Sequence, residues 1–204
     1  MPITVFGRTA MLALVGAGVA AASSAAAGAD TPLLEAVKNR DTAAVQALVS
    51  QRVDVNIPQA DGATALHWAA HWDDVEVADL LIDAGARVNA ANDYGVVPLL
   101  LAATNGSTAM VARLLSAGAD PNAGDENGAT PLMFAARTGR VDVAEALLDR
   151  GASVSVKDAA HGQTALMWAA SAGHSEVQRV LIRAGADVRA QSTRGYTPLL
   201  FAVR

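Results

Sequence analysis

His67 and His71 stand four residues apart, a spacing that brings two imidazoles onto one face of a helix. Two histidines so placed can share a zinc or copper ion. The residues between them are Trp68, Ala69 and Ala70, so the glutamate that a zinc protease keeps there as general base is missing. His161 and His174 show no partner in the sequence. The chain has no cysteine, which excludes thiolate zinc sites, iron–sulfur clusters, disulfide scaffolds and cysteine nucleophiles. It also lacks a Gly-x-Ser-x-Gly elbow and a phosphate loop. Gly16-x-Gly18-x-x-Ala21 has the glycine spacing of a dinucleotide site, but that chemistry needs a preceding strand and a following helix. Here it lies inside an apolar leader. The acids Asp73, Asp74, Glu76, Asp79, Asp142 and Glu145 fall at helical spacing and read as a solvated outer face. Together these residues imply no catalytic constellation, no cofactor and no resident metal, and the chain is expected not to be an enzyme. A metal site at His67 and His71 is the minor alternative.

The elements that would position such residues are legible in composition and spacing. Of 204 residues, 52% are hydrophobic, 4% aromatic and 17% charged, with a formal net charge of −5. That hydrophobic fraction excludes a disordered polar chain. The acidic balance excludes the basic field of a general nucleic-acid binder. Residues 1–29 carry one charge, Arg8, ahead of an apolar run from Ala10 to Ala22 and small residues ending Ala27-Gly28-Ala29. A basic start, a short apolar core and an A-x-A site make an export signal, with cleavage expected after Ala29 and a second site after Ala27. The alternative is an uncleaved anchor, but a span needs about 20 strongly apolar residues, and the second half of this stretch is Ala, Ser and Gly. The expected destination is periplasmic or secreted. After cleavage the charge is −6 and no further membrane insertion is expected.

Behind the leader the chain repeats itself. Glycines recur at 62, 95, 128, 162 and 195, and leucines at 33, 66, 99, 132, 166 and 199. Gly-Ala pairs recur at 85–86, 118–119, 151–152 and 185–186. Each unit reads as two short helices and a loop. Threonine caps the first helix and proline suits its next position, as in Thr130-Pro131-Leu132. An Ala-Ala pair then permits close helix approach, and Gly106, Gly139 or Gly173 breaks the helix. The second helix carries apolar residues at helical spacing, as in Val141, Ala144, Leu147 and Leu148, and ends on Gly-Ala. The units run about 30–60, 61–92, 93–125, 126–158 and 159–192, with a partial unit over 193–204.

Gly62-Ala-Thr-Ala-Leu-His-Trp-Ala-Ala70, Gly128-Ala-Thr-Pro-Leu-Met-Phe-Ala-Ala136 and Ala184-Gly-Ala-Asp-Val-Arg189 carry a resemblance. On them the chain resembles the ankyrin repeat family, with its period of about 33 residues and its Thr-Pro-Leu-His-x-Ala motif. The resemblance implies an all-α solenoid of helix–turn–helix units with loop or β-turn fingers, and a framework role for His67. Some positions depart from the pattern. Arg52 replaces a turn glycine, and that turn is expected to be altered. Arg40 and Asp73 replace the mid-unit glycine, Val97 replaces a capping threonine, and one extra residue enters around Ala159-Ala160. The first unit begins at Thr31-Pro32-Leu33 with a polar surface, and the last reaches Arg204 after a single helix. Leu199, Leu200 and Phe201 would then need cover, from further repeats of a longer protein or from a partner.

The resemblance also implies a protein partner, of no stated identity, meeting a concave surface made of loop tips and first-helix ends. On this chain those are His71, Trp72, Asp93, Tyr94, Thr104, Asn105, Glu126, Asn127, Arg137, Thr138, His161, Gln163, Arg194 and Tyr196. The surface is no basic stripe, so nucleic acid is not expected. Trp72 is the leading single contact candidate. Trp68, Phe134, Trp168 and Phe201 share one register and read as a packing stripe between units rather than a ligand ladder.

Overall fold

The computed structural model describes residues 31–203; the predicted leader and its cleavage site lie outside the described residues. Among these, every regular element is an α-helix: α1 (Pro32–Lys38), α2 (Thr42–Ser50), α3 (Ala65–Trp72), α4 (Val75–Asp83), α5 (Pro98–Asn105), α6 (Thr108–Ser116), α7 (Pro131–Thr138), α8 (Val141–Asp149), α9 (Ala165–Ala172), α10 (Ser175–Arg183) and α11 (Pro198–Ala202). Odd-numbered helices open the units and pack on one another in sequence, as do the even-numbered helices behind them. The result is two helical layers with a finger-like loop leading into each odd helix from α3 onward.

Local chemistry sets the helix ends. Thr31 and Thr164 each accept a bond from the backbone N–H three residues on, at 3.2 and 3.4 Å. Asp41, Asp74 and Ser107 do the same for α2, α4 and α6. Val97 begins α5 with no side-chain cap, leaving Pro98 to hold the first turn. The odd helices from α5 to α9 end on left-handed glycines, Gly106, Gly139 and Gly173. Arg52, expected to alter its turn, instead adopts the same left-handed state at φ 59°, as do Arg40 at 57° and Asp73 at 56°. The turn survives because the packed helices on either side over-determine it, at a cost of about 1 kcal/mol or more per residue.

Packing joins the units. The Ala-Ala pairs at 69–70, 102–103 and 135–136 are wholly buried, and one apolar cluster runs from Leu33 to Ala186. Two polar ladders run beside it. At the fingers, the N–H groups of Asp93, Glu126, Ala159 and Thr193 donate to the carbonyls of Asp61, Tyr94, Asn127 and His161, each in the preceding finger. At the opposite turns Asn56, Asn89 and Asn122 each clamp the next unit twice. Asn89, for example, donates to the Gly118 carbonyl at 3.0 Å and accepts from the Asp120 N–H at 2.8 Å. The extra residue of the fifth unit widens only its finger. Asp158 N–H closes on Gln163 five residues on, where Asn92 and Asp125 close on residues four on, and the ladder bond from Ala159 is kept at 2.7 Å.

Some of the outer acids have partners as well. Arg113 reaches from α6 to Asp79 and Asp83 of α4, and Thr108 donates to Asp142 across the next junction. Asp142 is held down to about 2, by Arg140 first and Thr108 second. Asp79 and Asp142, read from the sequence as part of a solvated face, therefore also link units.

At the junction between the fourth and fifth units the asparagine clamp is absent, because Ser155 occupies its register and bonds only to Ser153. Ser155→Asn is expected to supply both bonds and add about 1–3 kcal/mol, at roughly 0.5–1.5 kcal/mol per bond. A denaturant midpoint no higher than that of the parent chain would count against the clamp as a stabilising device.

Candidate partner-binding surface

In three units an aromatic ring of the odd helix also contacts the finger ahead of it. Trp68 donates from Nε1 to Gln59 at 3.0 Å and Trp168 to buried Asp158 at 3.1 Å, while Phe201 meets Tyr196 edge-on at 6.0 Å. Phe134 and Trp168 bridge adjacent units at 5.7 Å. The aromatic register is thus a framework stripe beneath the face. Its indole N–H groups are already used.

The predicted residues stand above that framework in two rows. His71 and Trp72 end α3, Thr104 and Asn105 end α5, and Arg137 and Thr138 end α7. Asp93, Tyr94, Glu126, Asn127, His161, Gln163, Arg194 and Tyr196 lie on the fingers; all of the named residues are exposed or half-buried. Not all of them are available to a partner through their polar atoms. Asn105 spends its amide on the carbonyls of Ala70 and His71, at 3.2 and 2.7 Å, closing the end of the preceding helix. Thr104 and Thr138 donate within their own helices, to Leu100 and Phe134. Tyr94, Asn127 and His161 join the finger ladder through main-chain carbonyls, which leaves their side chains outward. Trp72 packs against His71 with ring centres 4.3 Å apart and leaves 38% of its surface exposed.

Arg137 sits with its guanidinium carbon 4.9 Å from the Phe134 ring centre and 5.1 Å from that of Trp168. Burial lowers its pKa, a shift opposed by the charge of Asp125. His174, for which the sequence shows no partner, caps α10 and donates from Nε2 to the Arg137 carbonyl at 3.0 Å. Its ring covers Gly139, where an added Cβ would lie 2.6 Å from the imidazole, so glycine is required there twice over.

Metal binding fails at His67. The side chain is 1% exposed, and both ring nitrogens are occupied. Nδ1 accepts the Thr64 N–H at 3.0 Å and faces the Thr64 hydroxyl at 2.9 Å, while Nε2 lies 2.9 Å from the Val96 carbonyl of the next finger. A carbonyl only accepts, so the proton is on Nε2 and the ring is neutral. His67 is an inter-unit strut. His71 Nδ1 is buried without a hydrogen-bond partner among the described residues, beside indole rings rather than other ligands.

The residues that shape the fingers escaped the sequence analysis. Asn92 accepts the N–H groups of Tyr94 and Val96, Asp125 those of Asn127 and Ala129, and Asp158 that of His161 at 2.6 Å. Asn92 and Asp158 are buried. Their signal was present: Asn92 and Asp125 stand three residues ahead of a beat glycine, a turn-forming Asx position.

The His67 geometry predicts a pH effect with a defined sign. Burial lowers its folded pKa below the ordinary 6.5. The unfolded chain therefore takes up a proton that the folded chain refuses, so stability is complete above pH 6.5 and declines as pH falls below it. Burial lowers His71 in the same direction. His67→Leu, which supplies the residue found at 34 and 100 in the same register, is expected to flatten part of the fall in denaturant midpoint between pH 7.5 and pH 5, with the remainder belonging to His71. An identical pH slope in the variant would remove His67 from this role.

Known proteins share this architecture. A model of ankyrin repeats in three copies matches residues 7–92 and again 89–158, and a single-repeat model matches 161–193. A putative ankyrin repeat protein of fowlpox virus is 39% identical over 62 residues, covering 30% of this chain and 15% of that protein. The neurogenic locus notch homolog protein 1 of Xenopus tropicalis is 35% identical over 72 residues, 35% of this chain and 3% of that protein. The RelA-associated inhibitor of Mus musculus is 38% identical over 72 residues, 35% and 9% of the two chains. The matched segment is thus a small part of each relative. The chain belongs to the ankyrin repeat family, whose repeats mediate protein–protein interaction and are typically non-catalytic.

Proposed function

We propose that the chain is a non-catalytic scaffold that binds a protein partner on the concave face formed by its fingers and odd-helix ends. One observation carries the reading: on this face Trp72, Tyr94, Arg137, His161 and Tyr196 stand exposed or half-buried above a framework whose polar groups are bonded among themselves. Tyr, Trp and Arg are the residue types that dominate protein interfaces. A surface held by ladders and clamps loses little conformational entropy when a partner docks. The end face is a second contact surface. Leu199 and Leu200 occupy the registers of Leu166 and Met167 yet are 70% and 47% exposed, and Ile182 is 48% exposed. A further helix pair in register, from this chain or a partner, suits it; burying each such side chain contributes roughly 1.5–3 kcal/mol. The basic start, apolar run and A-x-A site of residues 1–29 support export.

A photo-crosslinking residue at Asn127 or Thr138 is expected to capture the partner in the native host, while the same residue at exposed Glu145 on α8 is not. Trp72→Ala is expected to weaken the captured complex roughly ten-fold or more. Capture from Glu145 alone, with no effect of Trp72→Ala, would sink the assignment of the face. Export is tested by N-terminal sequencing of the chain recovered from that host: Asp30 as first residue supports cleavage after Ala29, and retention of the residues from Met1 onward contradicts it.

A further inference from the structure

We infer that Arg137 is an anchor for a carboxylate of the partner polypeptide, received by the guanidinium edge above Phe134 and Trp168. This rests on the reading of the finger-and-helix face as the binding surface and adds the partner's chemistry at one point.

The two rings meet at 67° with centres 5.7 Å apart, and the guanidinium lies within about 5 Å of both. Stacking satisfies the flat faces of an arginine and leaves its N–H edges unspent. Among the described residues that side chain makes no hydrogen bond or ion pair. Three other arginines do meet acids. Arg113 meets Asp83 at 2.8 Å, Arg140 meets Asp142 at 3.3 Å and Arg179 meets Glu176 at 2.6 Å. The chain has 20 acids for 15 bases, yet no acid completes Arg137. Asp125, the acid whose charge it feels, gives one carboxylate oxygen to the N–H groups of Asn127 and Ala129, both at 2.9 Å.

The site is also fixed in place. His174 holds the Arg137 carbonyl at 3.0 Å, and its ring fills the space beside Gly139, so the end of α7 cannot shift without unpacking the next unit. A half-buried cation with a rigid fork gains most from a group that returns two parallel charge-assisted bonds, and a carboxylate does that. A polyanion fits poorly, because Asp93 and Glu126 stand exposed on neighbouring finger tips. The ligand is therefore a single carboxylate with apolar neighbours, carried either on an Asp or Glu side chain or at a chain terminus.

The test is selection of a random dodecapeptide display library on the full chain at physiological salt. Selected peptides are expected to hold one acidic residue at a constant place, or to depend on a free C-terminus. Neutralising it, by Asp→Asn or Glu→Gln in the peptide or by C-terminal amidation, identifies the source of the carboxylate. Arg137→Gln in the protein and neutralisation in the peptide should each weaken binding about ten- to a hundred-fold, and together no more than either alone. Arg137→Lys, which keeps the charge and loses the fork, should recover only part. Circular dichroism and thermal unfolding of both variants confirm the fold before binding is compared, and Arg137→Lys serves if Arg137→Gln unfolds. Failure to select any peptide that the Arg137 variants weaken overturns the proposal. If selected peptides ignore Arg137 but lose affinity with Trp72→Ala, the carboxylate site falls and the binding face stands. If they ignore both, the binding face falls as well.

Discussion

No unit of this chain can bury its own apolar side chains, and the rest of the structure depends on that constraint. A pair of helices of seven to nine residues has one layer of leucine and alanine and nothing of its own to cover it. Cover comes from the adjacent pair, so the core is a line of thin interfaces rather than a globule. Alanine suits these interfaces because a methyl group lets helices meet closely without the void that a mismatched larger side chain would leave. The low aromatic content follows from the same geometry, since a large ring fits only where one unit steps past the next, the register of Trp68, Phe134, Trp168 and Phe201.

Thin interfaces of small residues hold register weakly, because one methyl resembles another. The polar ladders supply the missing specificity. An asparagine that both donates to and accepts from the neighbouring turn, or a finger N–H that must meet one carbonyl, permits a single alignment, and leaving either group unmet costs about 1–3 kcal/mol. His67 belongs with them, as a neutral ring spanning from Thr64 to the next finger. Leucine or methionine holds the same register in the other units, so one such strut among several apolar contacts is enough.

The periodicity of the sequence made the solenoid legible, because glycines at a fixed beat mark backbone states that side chains disfavour. It did so less well where structure overrides local preference. Arg52 keeps a turn that its residue type argues against, since neighbouring units dictate the path of the chain. Asp79 and Asp142 read as solvated acids because their partners, Arg113 and Thr108, lie about one repeat away, and a single register shows no pairing across units. His174 was opaque for the same reason, its acceptor being 37 residues upstream. The side-chain bonds of the candidate residues were not legible. Nothing local distinguishes Asn105, which closes a neighbouring helix, from Trp72, which faces outward.

That separation of roles explains how one scaffold can carry a variable surface. The finger ladder is made by main-chain atoms of Tyr94, Asn127 and His161, so it constrains the shape of each tip and not the side chain on it. The turn residues Asn92, Asp125 and Asp158 carry the chemistry that a finger requires, two or three positions ahead of the exposed tip. Substitution at the tip therefore changes the side chains that the face presents while leaving the turn that holds them. Arg137, at the end of α7, differs from the tips, since its side chain lies against two rings of the stripe and its carbonyl is held by the next unit. A surface residue tied to the framework in this way is harder to replace but is already oriented. The entropy that a free arginine would lose on docking has been spent during folding, and the same packing that stacks the units aims the guanidinium.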